Sequence, residues 1–245
     1  MHIIQYFQTS WLPNSPSLSS LLFFATIFLI LELAYIIACF NTEHLYRFLH
    51  HKFNIGQYIN NKPLRENQRK FEFISGSVTT LINTLIIFIL CHFIIFQQTL
   101  SITQLLLDVV IATLVYDLSF YVLHRILHLP GLSNIHHHHH LNSPTTPWAC
   151  ISMHPVEAIL LQLPLAIFMV FYQMNIISIL LANIWFLIGT AHGHSNFDVF
   201  GHFKHHNWVN RYNRFHQLHH QKGKGNYGFL GTHWDRLFNS AIPNK

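Results

Sequence analysis

The stretch DLSFYVLHRILH, residues 117–128, joins an apolar helical pattern to a pair of histidines. It continues an apolar run that begins at Leu100, and about 20 such residues suffice to cross a bilayer. His124 and His128 are four residues apart, so on a helix they share one face, at the point where the run ends. The stretch therefore predicts a membrane-spanning helix that carries two imidazoles to one membrane surface.

Other apolar runs predict further crossings. Residues 18–40 and 73–96 are each long enough for one span, and residues 156–191 predict a hairpin of two short helices, either full spans or re-entrant, with its turn near 173–175. The predicted fold is an all-α, polytopic membrane helical bundle with a cytoplasmic, histidine-rich helical cap that holds a dinuclear metal site. We expect an N-terminal transmembrane region, 1–99, whose two spans flank a polar loop at 41–72. The remainder, 100–245, forms a second unit with a span at 100–123, the hairpin, and histidine segments at 124–140 and 192–220.

The composition favours a membrane protein that binds metal. Only 9% of the 245 residues are charged, whereas soluble domains carry about 25%. The 22 histidines outnumber the nine acidic residues, and imidazole is a common metal ligand. The net charge is +5, and the basic residues lie beside apolar spans. We therefore expect them to face a membrane surface and not a nucleic acid. The three cysteines have no C-x-x-C spacing and are expected to be buried thiols.

The basic residues predict the orientation. With these spans, all 14 lysines and arginines fall on one side of the membrane, which the positive-inside rule makes cytoplasmic. Both histidine segments fall on that same side, so they can share one site. The expected location is a bacterial inner membrane, or the endoplasmic reticulum in a eukaryote.

Histidines recur with helical spacing in three further places. The pattern H-x-x-H-H, which places three imidazoles on one helix face, occurs at His136/His139/His140, at His202/His205/His206 and at His216/His219/His220. In the first, His137 and His138 point elsewhere. Two of these boxes with His124 and His128 make eight imidazoles, more than one ion binds, so two metals are expected. Spacing alone does not choose between the second and third boxes, and a lone histidine run is also compatible with metal buffering.

The motifs together resemble the fatty acid hydroxylase and sterol desaturase superfamily of membrane di-iron oxygenases. The resemblance covers about residues 108–240, and residues 1–100 match only as generic spans. It is carried by DLSFYVLHRILH, by HHHHHLNSPTTPWACISMHPVEA, by HSNFD at 194–198 and by HQLHHQKGKGNYGFLGTHWDRLF. It favours the box at His216 over that at His202 and adds His194 as a ligand.

The resemblance implies two iron ions and nine histidine ligands, with no catalytic residue beyond the ligands. These are His124, His128, His136, His139, His140, His194, His216, His219 and His220. His192 is a candidate additional ligand. Asp117, two helical turns before His124, is expected to hydrogen-bond a ligand histidine, with helix packing as the alternative. His154, Asp198 and Asp235 are expected to support ligands from behind, and Asp235 has an ion pair with Arg236 as its alternative.

The implied activity is oxygen-dependent hydroxylation or desaturation of a lipid C–H bond. The sequence has no glycine-rich dinucleotide motif, so electrons are expected from a separate cytochrome or ferredoxin with its reductase. Four aromatic residues are candidates to line the pocket, with ordinary packing as the alternative: Phe120, Tyr121, Trp148 and Trp185. A metal transporter or buffering protein is the alternative function, although a transporter would place ligands at mid-membrane. A zinc hydrolase would need H-E-x-x-H, which the sequence lacks. The sequence does not decide whether the substrate is a sterol, a fatty acyl chain, a sphingoid base or a carotenoid.

Overall fold

The fold is all-α, as predicted. The structure is a computed structural model that describes residues 18–93, 101–199 and 208–242. In chain order, the described elements are α1 (Leu18–Phe53), β1 (Gln57–Tyr58), α2 (Gln68–Phe93), α3 (Ile102–Leu127), α4 (Ser133–His140), a 3-10 helix (Pro147–Ile151), α5 (Pro155–Phe171), α6 (Ile176–Gly193), β2 (Phe197–Asp198), α7 (Trp208–Lys222) and α8 (His233–Leu237).

Five apolar helices form a closed ring. Each helix packs against two others, in the order α1, α2, α5, α3, α6 and back to α1. Four of them (α1, α2, α3 and α6) are long and apolar enough to cross a membrane, and α5, with 17 residues, is shorter. Large apolar side chains such as Leu29, Leu85 and Leu114 are exposed on the outside of the ring. Because such a surface is stable only against lipid, the chain is a multi-pass membrane protein.

The first helix is longer than the sequence predicted. Residues 41–53, expected to begin a polar loop, continue α1 to Phe53. A salt bridge of 2.5 Å between Glu43 and Arg47, one turn apart, supports this extension. The helix ends where the backbone turns left-handed at Asn54 (φ 52°) and Gly56 (φ 74°). The sequence pattern therefore located the membrane-spanning part but missed the helix that leaves the membrane.

The other predicted spans fall on helices with shifted ends. α2 begins five residues before the predicted 73–96 span, and α3 continues past residue 123 to include His124. The predicted hairpin is formed by α5 and α6, and the chain turns between them at residues 172–175. Asn175 caps α6 by accepting a hydrogen bond from the Ile177 amide at 2.9 Å.

The chain beyond the membrane is tied to the ring by a two-stranded antiparallel sheet. β1 pairs with β2, so that Gln57 lies opposite Asp198 and Tyr58 opposite Phe197. Gly56, just before β1, packs so closely on the Phe197 ring that a Cβ atom there would lie 2.5 Å from it. This sheet joins the extension of α1 to the segment after α6, and so fixes the end of the ring from which the histidines project.

Candidate metal centre

Four helices bring the histidines to one end of the ring. α3 and α6 end there, with His124 in the last turn of α3 and His194 at the C-cap of α6. The short helix α4 and the helix α7 bring their histidines to this same end. Within α4, His136 and His139 are buried whereas His137 is exposed, as expected for residues on opposite helix faces.

The nine predicted ligands form two groups. Within each group, one ring nitrogen from every histidine lies within 4.8 Å of all the others. The five-histidine group contains His124, His128, His136, His140 and His219. The four-histidine group contains His139, His194, His216 and His220. The boxes are interleaved, because α4 and α7 each contribute to both groups.

At four of these rings, the nitrogen that faces the metal centre is unprotonated and carries a lone pair. In each of the four, Nδ1 forms a hydrogen bond with a backbone carbonyl oxygen. The distances are 2.9 Å for His124, 3.0 Å for His139, 2.8 Å for His194 and 2.7 Å for His219. A carbonyl only accepts, so each Nδ1 carries the proton and each neutral ring presents a bare Nε2. Yet the Nε2 atoms of His139 and His194 lie 3.2 Å apart. Two lone pairs repel at this distance unless a cation lies between them.

A proton is a poor candidate for that cation. Burial lowers the pKa of His136, His139 and His194, that of His139 to about 4. Neighbouring imidazoles lower the pKa of each ring further, and His140 falls to about 3. These imidazoles are therefore neutral near pH 7, which is the form that binds metal.

The spacing of the nitrogens fits metal ligands. Two imidazole nitrogens bound about 2.1 Å from one ion at a right angle are about 3.0 Å apart. The observed Nε2 separations are 3.0 Å for His124–His136, 3.2 Å for His128–His219 and 2.8 Å for His194–His216. The residues present thus fit one metal ion in each group.

Glu157 is the functional residue that sequence reasoning missed. Its Oε1 atom lies 2.6 Å from Nδ1 of His136, and the side chain is only 1% exposed. A carboxylate behind a ligand imidazole fixes the ring's tautomer and makes its other nitrogen more basic. The available signal was a single acid in the first turn of an otherwise apolar helix, α5, two residues after Pro155.

Comparison with known proteins places the chain in a family. The model of the family described as fatty acid hydroxylase matches residues 109–240, which is more than half of the chain and includes both histidine groups. The chain belongs to the fatty acid hydroxylase family. This confirms the resemblance to the fatty acid hydroxylase and sterol desaturase superfamily that the motifs indicated.

Two curated relatives of this fatty acid hydroxylase family member are named as sterol desaturases. A Delta(7)-sterol 5(6)-desaturase of Eremothecium gossypii is 29% identical over 135 residues, which are 55% of this chain and 37% of that protein. A Delta(7)-sterol 5(6)-desaturase of Gibberella zeae is 29% identical over 138 residues, or 53% of this chain and 41% of that protein. The match thus spans about two fifths of each relative. No solved structure gives a significant match.

Asp117 does not contact a ligand histidine, contrary to expectation. Its carboxylate instead accepts hydrogen bonds from the Leu230 amide, His233 Nε2 and Trp234 Nε1, at 2.9, 2.8 and 2.7 Å. The helical spacing was correct, but two turns displace Asp117 by about 10 Å along the axis, out of reach of His124's partners. Asp117 therefore anchors the chain around α8 to α3.

The other three supporting residues act at greater distance than expected. His154 caps α5, accepting from the Val156 amide at 3.2 Å, and it holds no ligand histidine. Asp198 pairs with Arg214 at 2.5 Å and so positions α7. Asp235 accepts from the amides of Tyr227 and Gly228, both at 2.8 Å, and not from Arg236 as the alternative proposed. Because the Tyr227 carbonyl accepts the hydrogen bond from His124 Nδ1, Asp235 supports that ligand indirectly, through the backbone of Tyr227.

The remaining candidates lie outside the two groups. His192 belongs to neither, and its Nδ1 atom forms a short contact with the Tyr46 hydroxyl. The alternative box, His202/His205/His206, lies outside the described residues. Of the aromatic candidates, Phe120 borders a small cavity beside the histidines. The other three do not border it. Tyr121 forms a hydrogen bond with Ser240 and Trp148 with Glu43, and Trp185 is half exposed.

Proposed function

We propose that the protein is a membrane di-iron oxidoreductase that uses molecular oxygen to hydroxylate or desaturate a lipid C–H bond. One observation carries the proposal: the two histidine groups converge on one small cavity at the end of an apolar ring of helices. His136 of one group and His139, His194 and His216 of the other all border that cavity. A reacting carbon placed there would contact both groups while the rest of the lipid lay in the ring.

The proposed iron ions would be held one by each histidine group. Imidazole suits iron, copper, zinc and nickel, so the histidine set alone does not select the metal; membership of the fatty acid hydroxylase family supports iron. Iron supplies redox chemistry that activates oxygen against an unactivated C–H bond. The chain itself fixes the tautomer of five ligand rings. Four backbone carbonyls and Glu157 accept hydrogen bonds from the Nδ1 atoms, so the proton stays on Nδ1 and Nε2 is available to the metal.

Apolar side chains exclude water from the reacting centre. Phe120 and Phe229 are in contact, with ring centroids 5.3 Å apart and the rings tilted by 53°, and both line the cavity together with Met153. A dry site protects reactive species from side reactions with water. It also suits an apolar carbon better than a polar substrate, which supports a lipid substrate.

The substrate class is proposed from the relatives. Both named relatives act, by name, on Delta(7)-sterols. A sterol is therefore our first candidate, with fatty acyl and related lipids next. Hydroxylation and desaturation both begin at a C–H bond beside the metals, so this geometry serves either outcome.

The electrons are proposed to come from a separate redox protein on the cytoplasmic face. Basic residues such as Arg69, Arg125 and Lys222 lie at the end of the ring that carries the histidines. The positive-inside rule favours a cytoplasmic location for this end, where a reductase with a cytochrome or ferredoxin would have access. The position of the histidines beyond the apolar spans also favours a fixed reaction centre over a metal transport route, which needs ligands at mid-membrane.

Labelled oxygen tests this function. Cells that express the chain are grown under isotopically labelled molecular oxygen, and their lipids are compared by mass spectrometry with those of cells expressing His139→Ala. The proposal expects a hydroxylated lipid that carries the label, or a lipid two hydrogens lighter, only with the unchanged chain. Identical lipid profiles for the two chains, at equal membrane insertion, would contradict it.

A further inference from the structure

A second cavity lies at the centre of the helical ring. All five apolar helices contribute to its wall, among them α1 through Leu31, α3 through Tyr116 and α5 through Gln162. It has a volume of about 40 Å³, enough for a few water-sized groups. Several polar side chains line it in the middle of an apolar bundle.

Thr79 presents an unused hydroxyl to this cavity. The residue is 5% exposed, and its Oγ1 atom has no hydrogen-bond partner among the described residues. Its neighbours on α2 behave differently: Thr80 and Thr84 donate to the carbonyls of Gly76 and Thr80, at 3.2 and 2.9 Å. A threonine in an apolar helix usually satisfies its hydroxyl this way, so the orientation of Thr79 is not the default.

Amide side chains face the same space. Asn83 donates to Oδ1 of Asn183 at 2.6 Å, which joins α2 to α6 across the cavity. Gln162 of α5 also lines the cavity and makes no hydrogen bond with any described residue. Unsatisfied polar groups inside an apolar bundle cost free energy, and intramembrane polar residues commonly mark a functional site.

The polar cavity adjoins the reaction centre. Met153 and Thr190 line both this cavity and the one beside the histidines. The Thr190 carbonyl also accepts a hydrogen bond from Nδ1 of His194. Along α6, the wall of the polar cavity runs from about 6 Å below His194, at Thr190, to about 16 Å below it, at Asn183. Met153, whose side chain is flexible, and Thr190 therefore lie between the two spaces.

We propose that the central cavity binds a hydroxyl group carried by the lipid substrate, through Thr79, Gln162 and the Asn83–Asn183 pair. The carbon to be oxidised then lies past Met153, beside the histidines. This inference rests on the proposed lipid oxidation and adds a requirement to it: the substrate is a lipid alcohol whose hydroxyl lies at membrane depth. Both a long-chain alcohol and a sterol carry such a group.

Equilibrium binding tests the proposal without turnover. A radiolabelled long-chain alcohol is bound to the detergent-purified full chain and displaced by unlabelled alcohol, by the matching alkane, by a sterol and by the corresponding sterane. A hydrogen bond to a buried, otherwise unsatisfied group gives about a tenfold preference, so the alcohol is expected to compete about tenfold better than the alkane. The sterol–sterane pair shows which of the two lipid classes the site accepts better.

Matched variants identify the residues. Thr79→Val keeps the shape of the side chain and removes the hydroxyl, and should reduce the preference for the alcohol to about that expected from lipid partitioning alone. Thr84→Val is the control, because Thr84 is equally buried on the same helix but bonds only its own backbone. Gln162→Leu, which breaks no hydrogen bond in the described part of the chain, provides a second loss-of-preference variant should Thr79→Val fold poorly.

The outcomes separate this inference from the proposed function. Equal competition by alcohol and alkane with the unchanged chain, or equal loss of preference in Thr79→Val and Thr84→Val, would overturn it and leave the cavity to buried water. A retained preference for the alcohol in a chain that oxidises no lipid would contradict the proposed function and leave this inference standing.

Discussion

Replacing Glu157 by glutamine should weaken metal binding without weakening the fold. The carboxylate lies 2.6 Å from Nδ1 of His136, and its second oxygen, Oε2, is buried without a partner among the described residues. Glutamine keeps the size and an acceptor oxygen but removes the charge. The substitution therefore separates the electrostatic support of His136 from the packing of α5.

The magnitude follows from the change in hydrogen bond. A charge-assisted bond contributes about 1–2 kcal/mol more than a neutral one, which corresponds to about 5- to 30-fold in metal affinity. This agrees with the roughly 10- to 100-fold loss that follows when partners of ligand histidines are changed. The metal-free protein should be as stable as the unchanged chain or slightly more so, because a buried charge with one unpaired oxygen is removed.

The assay is a chelator titration of metal from the purified protein, paired with thermal unfolding of the metal-free form. His154→Ala is the matched control, since His154 caps the same helix and touches no ligand. It should lower stability by about 1 kcal/mol and leave metal affinity unchanged. Unchanged metal affinity in Glu157→Gln, or equal loss of metal in His154→Ala, would refute the role assigned to Glu157.

Four further substitutions test which residues hold the metal. His139→Ala and His219→Ala, one in each group, should each lower the metal content by about one ion per chain and abolish turnover while the protein still inserts; activity in either variant would contradict the assignment of that histidine. His205→Ala should have a mild effect, whereas an inactive variant that has lost metal would favour the box at His202. Asp117→Asn should lower the free energy of unfolding by about 1–3 kcal/mol, because three donors lose a buried, charged acceptor, with the metal content unchanged; a change in metal content at full stability would place Asp117 in the centre after all.

The sequence was informative where spacing within one helix decides the geometry. His136 and His139 lie on the inner face of α4 and His137 on the outer face, as a period of 3.6 residues requires. The same rule applied to His216, His219 and His220 on α7, which are all buried. Apolar run length likewise located the ring helices.

Contacts between distant segments could not be predicted in this way. The carbonyls of Ser152, Gly225 and Tyr227 hold ligand histidines, but any residue has a carbonyl, so no sequence pattern marks them. Asp117 shows the reverse error: its helix face was right, yet its partners come from a segment more than 100 residues away. The interleaving of the boxes, with His139 and His140 in different groups, also depends on how α4 lies against α7.

The number and identity of the metal ions test the central claim most directly. Elemental mass spectrometry on the detergent-purified chain, expressed without a histidine tag, measures both. The two histidine groups and the family predict about two iron ions per chain. Two zinc ions would support the geometry and leave the native metal open to reconstitution with iron. One ion per chain, or none after reconstitution, would contradict a shared dinuclear centre.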